Sequence, residues 1–414
     1  MMPQAAHICF LQDSLYSPTS TGWTGTHLQN YNLARQFYQA GMKVSFVVAS
    51  ALPGATVPPG YQGMTVRFVK TSAIAPFLFF WREVKQALRQ LAPDFIYVRG
   101  RSWLVAVAQA YAAEQGAEFI WASNGEDGCD PWKFTSKAKR AKVQPFRRLY
   151  RMTKGALEDL AYARGIRQAS FLVNQTKDQQ KALAKHFQRE GNVIYSMQEV
   201  PPGPFQKADP LLVLWIGRLS REKRPELFFK LVDAFKTSNV AFRMIGPISK
   251  TDQWAAEICR LAQVCNFRHL NWLDRDALLE LMGTASLLIN TSSRCGDGIP
   301  NSMIEAWLRE VPVLSYELDP DDLINREGMG LVAGANWQEF VQSFAKLLDN
   351  REQIETLSHH VRSRAIDLFA PERVISRYQR LLGKKPVEPG ILRSVDRNSP
   401  RLAPVEPANS HNAV

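Results

Sequence analysis

Cysteine is scarce in this chain. Among 414 residues there are five, Cys9, Cys129, Cys259, Cys265 and Cys295, and no two stand in a Cys-x-x-Cys spacing. A disulfide framework or a zinc knot needs thiols paired at short range, so neither organises the fold, and a reducing cytoplasm is the expected setting. Long hydrophobic runs are lacking too. The most apolar window, Ala73 to Trp81, is broken by Pro76 and falls well short of the roughly 20 residues that cross a bilayer. Met1 to Phe10 has neither the basic start nor the long apolar core of a secretory leader. No RNP-like, zinc-finger or helix-turn-helix pattern appears, which argues against nucleic acid as the partner. Acidic residues are also in deficit, 39 against 51 Lys and Arg, for a formal net charge of +12. That excess favours an acidic partner such as a nucleotide-linked substrate or an anionic lipid.

The remainder is ordinary globular composition, with 45% hydrophobic and 22% charged residues. A chain of this length exceeds one comfortable core, so two domains are expected. His7 to Gln12 reads as a buried strand, followed by a Ser/Thr/Gly-rich loop. Leu28, Tyr31, Leu33, Ala34 and Phe37 then recur at helical spacing, with Gly41 as the stop. Lys43–Ala49, Phe95–Val98 and Phe119–Ala122 read as strands and Trp103–Gln115 as a helix, a rhythm that implies parallel sheet covered on both faces. The pattern stalls around Pro201, Pro202, Gly203, Pro204 and Pro210, then restarts with strand Leu211–Ile216, helix Pro225–Phe235 and strand Ala241–Ile245. The expected layout is therefore a first domain over 1–200, a linker over 201–210 and a second domain over 211–365. A helix over 366–382 would pack back towards the first domain, and a Pro-rich tail over 383–414 reads as disordered. In doubly wound sheets ligands sit at the carboxyl ends of the strands, here in the cleft between the two halves.

Two stretches of the second half carry chemistry. In the first, strand Leu211–Ile216 ends at Gly217 and the following loop holds Arg218 and Lys223. A planar guanidinium and a mobile ammonium together suit a diphosphate, although a solvated basic loop gives the same spacing. In the second, apolar Leu287–Ile289 leads through a Gly-rich loop to Asp297, Gly298, Ile299, Pro300 and Asn301, and then to an amphipathic segment carrying Glu305. A strand, a loop and a helix start of this kind aim backbone N–H groups at an anion, and a neighbouring carboxylate can hold sugar hydroxyls.

Gly217-Arg218-Leu219 with Lys223, then Asn290-Thr291-Ser292, Gly298-x-Pro300-Asn301, Glu305-Ala306 and Val311-Pro312-Val313, stand in the order found in retaining glycosyltransferases of the GT-B fold. The chain resembles glycosyltransferase family 4 over about residues 7 to 380, most strongly after Leu211. The resemblance implies an α/β architecture of two Rossmann-like domains facing a central cleft, and a hexosyltransferase that uses a nucleotide-diphosphate sugar without a metal or other cofactor. It places Arg218 and Lys223 on the donor diphosphate, Glu305 on the ribose, Asp297 on the donor sugar and the backbone around Ile299 to Ser302 over the phosphate or sugar. Gly25 matches the second glycine of the family's Gly-Gly pair, and His27 in the first helical turn could touch a ligand or simply cap the helix. The Asp319-Pro320-Asp321-Asp322 run is read as a structural loop, not a metal site.

Several positions depart from the family. Asp297 shortens the usual Glu by one methylene, and Glu310 stands where a Gly is common. The usual histidine after strand Phe119–Ser123 is replaced by Asn124-Gly125-Glu126-Asp127, so Asn124 or Glu126 is expected in its place. Ser196-Met197 replaces an Asn-Gly near the linker. Lys133 to Lys154 holds nine basic residues and no acidic one, with Phe134, Phe146 and Tyr150 interleaved. That is a candidate docking surface for anionic lipid, against the commoner reading of a solvated helical face. The expected acceptor is a glycan or lipid-linked precursor of cell-surface polysaccharide or glycolipid, with the protein peripheral on the inner face of the plasma membrane. Two alternatives stay open: a nucleotide-sugar epimerase or hydrolase on the same fold, and a non-catalytic partner in a glycan-assembly complex.

Overall fold

The computed structural model describes residues 6–17, 24–50, 56–71, 80–141, 143–247, 254, 257, 258, 260, 268–270, 273–293 and 298–383. Two sheets are present, and every pairing in them is parallel. The first is built from β1 (His7–Gln12), β2 (Lys43–Ser50), β3 (Thr65–Lys70), β4 (Phe95–Arg99), β5 (Glu118–Ala122), β6 (Phe171–Asn174) and β7 (Asn192–Val193) in the order β3-β2-β1-β4-β5-β6-β7. The second uses β8 (Leu211–Ile216), β9 (Val240–Ile245), β10 (Arg268–Leu270), β11 (Leu287–Asn290), β12 (Val313–Ser315) and β13 (Gly330–Val332) in the order β10-β9-β8-β11-β12-β13. Strand order reverses between β1 and β4 in one sheet and between β8 and β11 in the other. Such reversals open a crevice at the carboxyl ends of the strands, and each sheet has one.

The helices among the described residues are α1 (Gly25–Gln39), α2 (Trp81–Leu91), α3 (Leu104–Gln115), α4 (Lys133–Arg140), α5 (Pro145–Gln168), α6 (Lys177–Phe187), α7 (Pro225–Ala234), α8 (Arg275–Thr284), α9 (Asn301–Trp307), α10 (Leu323–Arg326), α11 (Trp337–Asp349), α12 (Arg351–Phe369) and α13 (Pro371–Leu381). Central strands are mostly apolar because helices cover both their faces; all six residues of β1 are buried, polar His7 and Gln12 at its two ends included. In the first domain Phe10 packs against Phe46 and Tyr97 with ring centroids 5.2 and 4.9 Å apart. Full burial of each such side chain stabilises by about 1.5–3 kcal/mol. Side-chain caps start several helices: Thr176 accepts from the Gln179 amide at 3.2 Å and Asp274 from the Ala277 amide at 2.9 Å, each worth about 1 kcal/mol.

The chain crosses between the domains twice. After β7 it enters the second domain at β8. After α12, whose Phe369 stacks on Trp307 at 5.9 Å, it returns as α13. Val374, Ile375 and Tyr378 of α13 are buried in the first domain's core, with Tyr378 edge-on to Phe37 at 5.8 Å. The two sheets are thus tied at both ends of the second domain, and their carboxyl edges face one another. No helix among the described residues is long and apolar enough to cross a membrane.

Candidate active site

Between the domains lies a cleft of about 440 Å³. From the second domain it is lined by Gly217, Arg218, Lys223, Arg275, Gly298, Ile299, Pro300, Asn301, Ser302 and Glu305, and from the first by Thr24, Gly25, Gln29, Asn124, Gln175 and Ser196. Eleven of the residues singled out from sequence therefore meet in one place: Gly25, Asn124, Gly217, Arg218, Lys223, Gly298, Ile299, Pro300, Asn301, Ser302 and Glu305. Asp297 lies outside the described residues.

The loop after β8 is pinned to the loop after β11. Trp215 Nε1 donates to Thr291 Oγ1 at 2.8 Å, and Thr291 Oγ1 donates to the Lys223 carbonyl at 2.5 Å. Arg224 adopts a left-handed backbone, φ 45°. Its guanidinium donates to the Thr291 and Ser292 carbonyls at 2.8 and 2.9 Å and pairs with Glu317 at 2.7 Å. Lys223 is thereby held at the strand ends, its Nζ donating to Ser292 Oγ at 3.2 Å, while Ser292 bonds Asn290 and Asn290 bonds Ser315. Arg218 is exposed on the same rim. Gly246, at the end of β9, brings its backbone against the Gly217 carbonyl so closely that a Cβ there would stand 1.7 Å from that oxygen. Only glycine lets these two strand ends touch.

Glu305 sits in α9, a helix of seven residues, with only 6% of its side chain exposed. Its Oε1 accepts from Arg275 Nη2 at 2.8 Å and from Gln198 Nε2 at 3.2 Å. Arg275 is the first residue of α8, fixed there by the Asp274 cap. Burial works against its charge, but Glu305 beside it more than compensates, and its pKa is raised above the ordinary arginine value. Nothing local in the sequence marks Arg275 as a site residue, because its partner lies 30 residues on.

The first domain closes over this surface through α1. Gln29 Nε2 donates to Asn301 Oδ1 at 2.8 Å. A Cβ on Gly25 would meet Asn301 Nδ2 at 2.9 Å, so a larger residue there would displace the Asn301 side chain. His27 does not line this cleft. The Thr24 amide donates to its Nδ1 at 3.0 Å, so the ring proton is on Nε2, which donates to Asp13 at 2.9 Å. That hydrogen bond holds the Asp13 carboxyl below the usual range. His27 is a capping residue of α1 and lines a second cavity of about 350 Å³ at the carboxyl ends of β1 and β4. The two cavities share Thr24, Thr26 and Asn124 as a common wall.

One expectation is corrected. Either Asn124 or Glu126 is expected in the place of the family's histidine, but the 3-10 turn Glu126–Cys129 carries Glu126 away. It lines a separate cavity with Lys177, Asp319 and Asp321, and Asn124 alone stands in the cleft. In that separate cavity Asp319 and Asp321 are occupied by the fold. Asp319 accepts the Ile324 and Asn325 amides at 2.8 and 3.2 Å, while Asp321 accepts the Lys177 amide and, at 3.1 Å, the Tyr195 hydroxyl. Among the described residues no three His, Cys, Asp or Glu side chains group closely enough to hold a metal ion.

Known proteins share this fold. Residues 197–364 match the family model of the glycosyl transferases group 1. HepE from Anabaena in complex with UDP-glucose superposes with a TM-score of 0.66 at 15% identity, over 91% of this chain and 99% of that one. Sucrose-phosphate synthase from Thermosynechococcus elongatus gives 0.66 at 14% identity, over 91% and 98%. A glycosyltransferase from Rickettsia africae gives 0.65 at 14%, over 92% and 99%. No curated protein matches the chain by sequence. The arrangement of two facing parallel sheets is the GT-B fold.

Proposed function

We infer, from a chain whose residues 197–364 match the family model of the glycosyl transferases group 1, that this protein transfers a hexose from a nucleotide-diphosphate sugar to a hydroxyl acceptor. The observation that carries the reading is the cleft, where Lys223, Arg218 and the Arg275–Glu305 pair of one domain face Asn124 and Gly25 of the other. In this reading Lys223 and Arg218 hold the diphosphate, Glu305 takes the ribose hydroxyls, and the amides at Ile299 to Ser302 cap the donor. Breaking the bond from sugar C1 to the diphosphate oxygen leaves charge on that oxygen. Fixed cations stabilise the charge more in the transition state than before it, which is what raises the rate. The reaction is proposed to retain configuration: the acceptor hydroxyl bonds C1 on the face the diphosphate leaves, and its proton passes to the departing oxygen. Two cations supply the electrostatic role a divalent metal would otherwise have, so the transfer is proposed to be metal-independent.

Uridine nucleotides are the first donors to try, since the HepE neighbour was crystallised with UDP, with UDP-glucose and with UDP and glucose. A nucleotide that binds the folded chain at 100 times its Kd stabilises it by about 2.7 kcal/mol. Thermal melting with UDP, GDP, ADP and their sugars is expected to show a clear rise with one base; no shift with any of them would remove the reading. Product analysis separates transfer from its rivals, because rapid sugar release or epimer formation without acceptor would favour the hydrolase or epimerase.

The acceptor is proposed to be lipid-linked, on a polysaccharide or glycolipid precursor, reached from the cytoplasmic face of a membrane. Helices α4 and α5 support this. Phe146 is 83% exposed, and Leu149, Tyr150, Leu157 and Leu160 continue an exposed apolar stripe along α5 at helical spacing. Arg147, Arg148 and Arg151 are exposed around its first turns. A cation at an anionic surface contributes about 1 kcal/mol, and apolar side chains add insertion. The protein is expected to float with phosphatidylglycerol vesicles and not with phosphatidylcholine alone, and Phe146→Glu with Tyr150→Glu to remain in the pellet. Equal flotation with both vesicles would reject the electrostatic docking.

A further inference from the structure

The second cavity has more polar capacity than the fold uses. It is built at the carboxyl ends of β1 and β4, which pair in parallel with Phe10 opposite Tyr97. Continuing that register by two residues sets Gln12 beside Arg99. Both line the cavity, together with Asn30 and Arg101. Gln12 is 6% exposed and Asn30 1%, yet Gln12 Nε2 and Asn30 Oδ1 have no hydrogen-bond partner, and neither do Nε of Arg99 and Nε of Arg101. Buried polar atoms are normally paired, so four orphans around one cavity point to a ligand whose polar groups would complete the set.

The two arginines differ in charge balance. Arg101 is neutralised by buried Asp159. Arg99 donates to the Tyr97 hydroxyl at 3.3 Å and to Ser196 Oγ at 2.8 Å, both neutral, and among the described residues no carboxylate pairs with it. The cavity's own carboxylate, Asp13, is exposed and already accepts from His27. A guanidinium with neutral partners only, at a strand end with an unpaired amide N–H next to it, is a half-built anion site.

We propose that this cavity seats the acceptor through an anionic group, a carboxylate or a phosphate, held by Arg99 with Gln12 donating beside it. The proposal rests on the glycosyltransferase reading. The wall shared with the cleft, Thr24, Thr26 and Asn124, then brings a hydroxyl of the same acceptor to the donor sugar. Ser196, which receives Arg99 Nη2, lines the donor cleft as well, so the anion site and the donor site touch through one hydrogen bond.

The test titrates the full chain with glucose, glucuronate and glucose 6-phosphate, followed by saturation-transfer NMR, and measures UDP, GDP and ADP affinity in parallel. The charged probes are expected to bind at least about tenfold more tightly than glucose and to weaken as salt is raised; the tighter of the two identifies carboxylate or phosphate. Arg99→Gln is expected to lose that preference. Gln12→Glu should lose it too while keeping the fold, since a glutamate still accepts the bond from Asn30 Nδ2, 2.6 Å in the native chain, and supplies Arg99 with an internal counter-charge. Equal binding of neutral and charged probes, no binding of the charged ones, or undiminished binding in the two variants would overturn the proposal. UDP binding without anion capture would overturn this proposal alone. Anion capture at Arg99 without binding of UDP, GDP or ADP would remove the glycosyltransferase reading and leave an anion site.

Discussion

Lys223→Ala is expected to lower turnover of the nucleotide sugar by about 100- to 1,000-fold, the range seen when one preorganised group that stabilises developing charge is removed. The effect should fall mainly on kcat, because the diphosphate acquires its extra charge only as the glycosidic bond breaks. Stability should change little. Lys223 is half-buried, and its Nζ hydrogen bond to Ser292 is worth about 0.5–1.5 kcal/mol at most. The loop itself is held by Trp215, Thr291 and Arg224, none of which the substitution touches. Lys223→Arg keeps the charge with a different reach and is expected to recover part of the rate. Nucleotide release under saturating donor, with the melting temperature as control, checks this. Turnover within roughly threefold of wild type would place the diphosphate elsewhere in the cleft.

What could be read from sequence was whatever repeats or stays local. Strand Leu211–Ile216 has the bounds its apolar run suggests, and neighbouring elements differ by a residue or two. The loops carrying Arg218, Lys223 and Gly298 to Glu305 follow directly from strand ends, so their meeting in one cleft follows from the doubly wound topology. Glu310 was conspicuous for standing where relatives have glycine, and its backbone does take the left-handed conformation, φ 61°, that favours glycine. Its carboxylate pairs with Arg362, 3.8 Å away. Long-range partners were not legible. Arg275 earns its place through a cap at Asp274 and an ion pair with Glu305, and no periodicity announces either. Glu126 was misplaced for the opposite reason: it lies next to Asn124 in sequence, but a single 3-10 turn sends the two side chains to different cavities. The orphaned atoms of Gln12, Asn30 and Arg99 depend on which groups fail to find partners, a property that exists only once the chain is folded.

The largest effect on stability is expected from Asp159→Ala. Asp159 lies inside α5 at 1% exposure and is the common acceptor for Arg101 Nη2, the Phe134 amide at 3.2 Å, and the Thr135 amide and hydroxyl at 2.8 and 2.7 Å. Arg101 in turn donates to the Asp130 and Pro131 carbonyls and lies over the Tyr162 ring at 4.2 Å. One carboxylate therefore fastens the start of α4, the middle of α5 and the loop after β4. Removing it leaves a buried guanidinium without a counter-charge, which costs about 3–5 kcal/mol. Chemical unfolding should show that loss, and hydrogen exchange should show the amides of Phe134 and Thr135 opening early, because their acceptor is gone. Vesicle binding is expected to weaken in the same variant although every cation of α4 and α5 remains, since the two helices would no longer be held as one surface. Arg101→Met with Asp159→Leu distinguishes the charge from the packing: replacing both partners by apolar groups removes the stranded charge and should recover most of the stability. A double variant no more stable than Asp159→Ala would mean that the carboxylate's bonds to the α4 backbone, not its pairing with Arg101, hold this corner of the first domain.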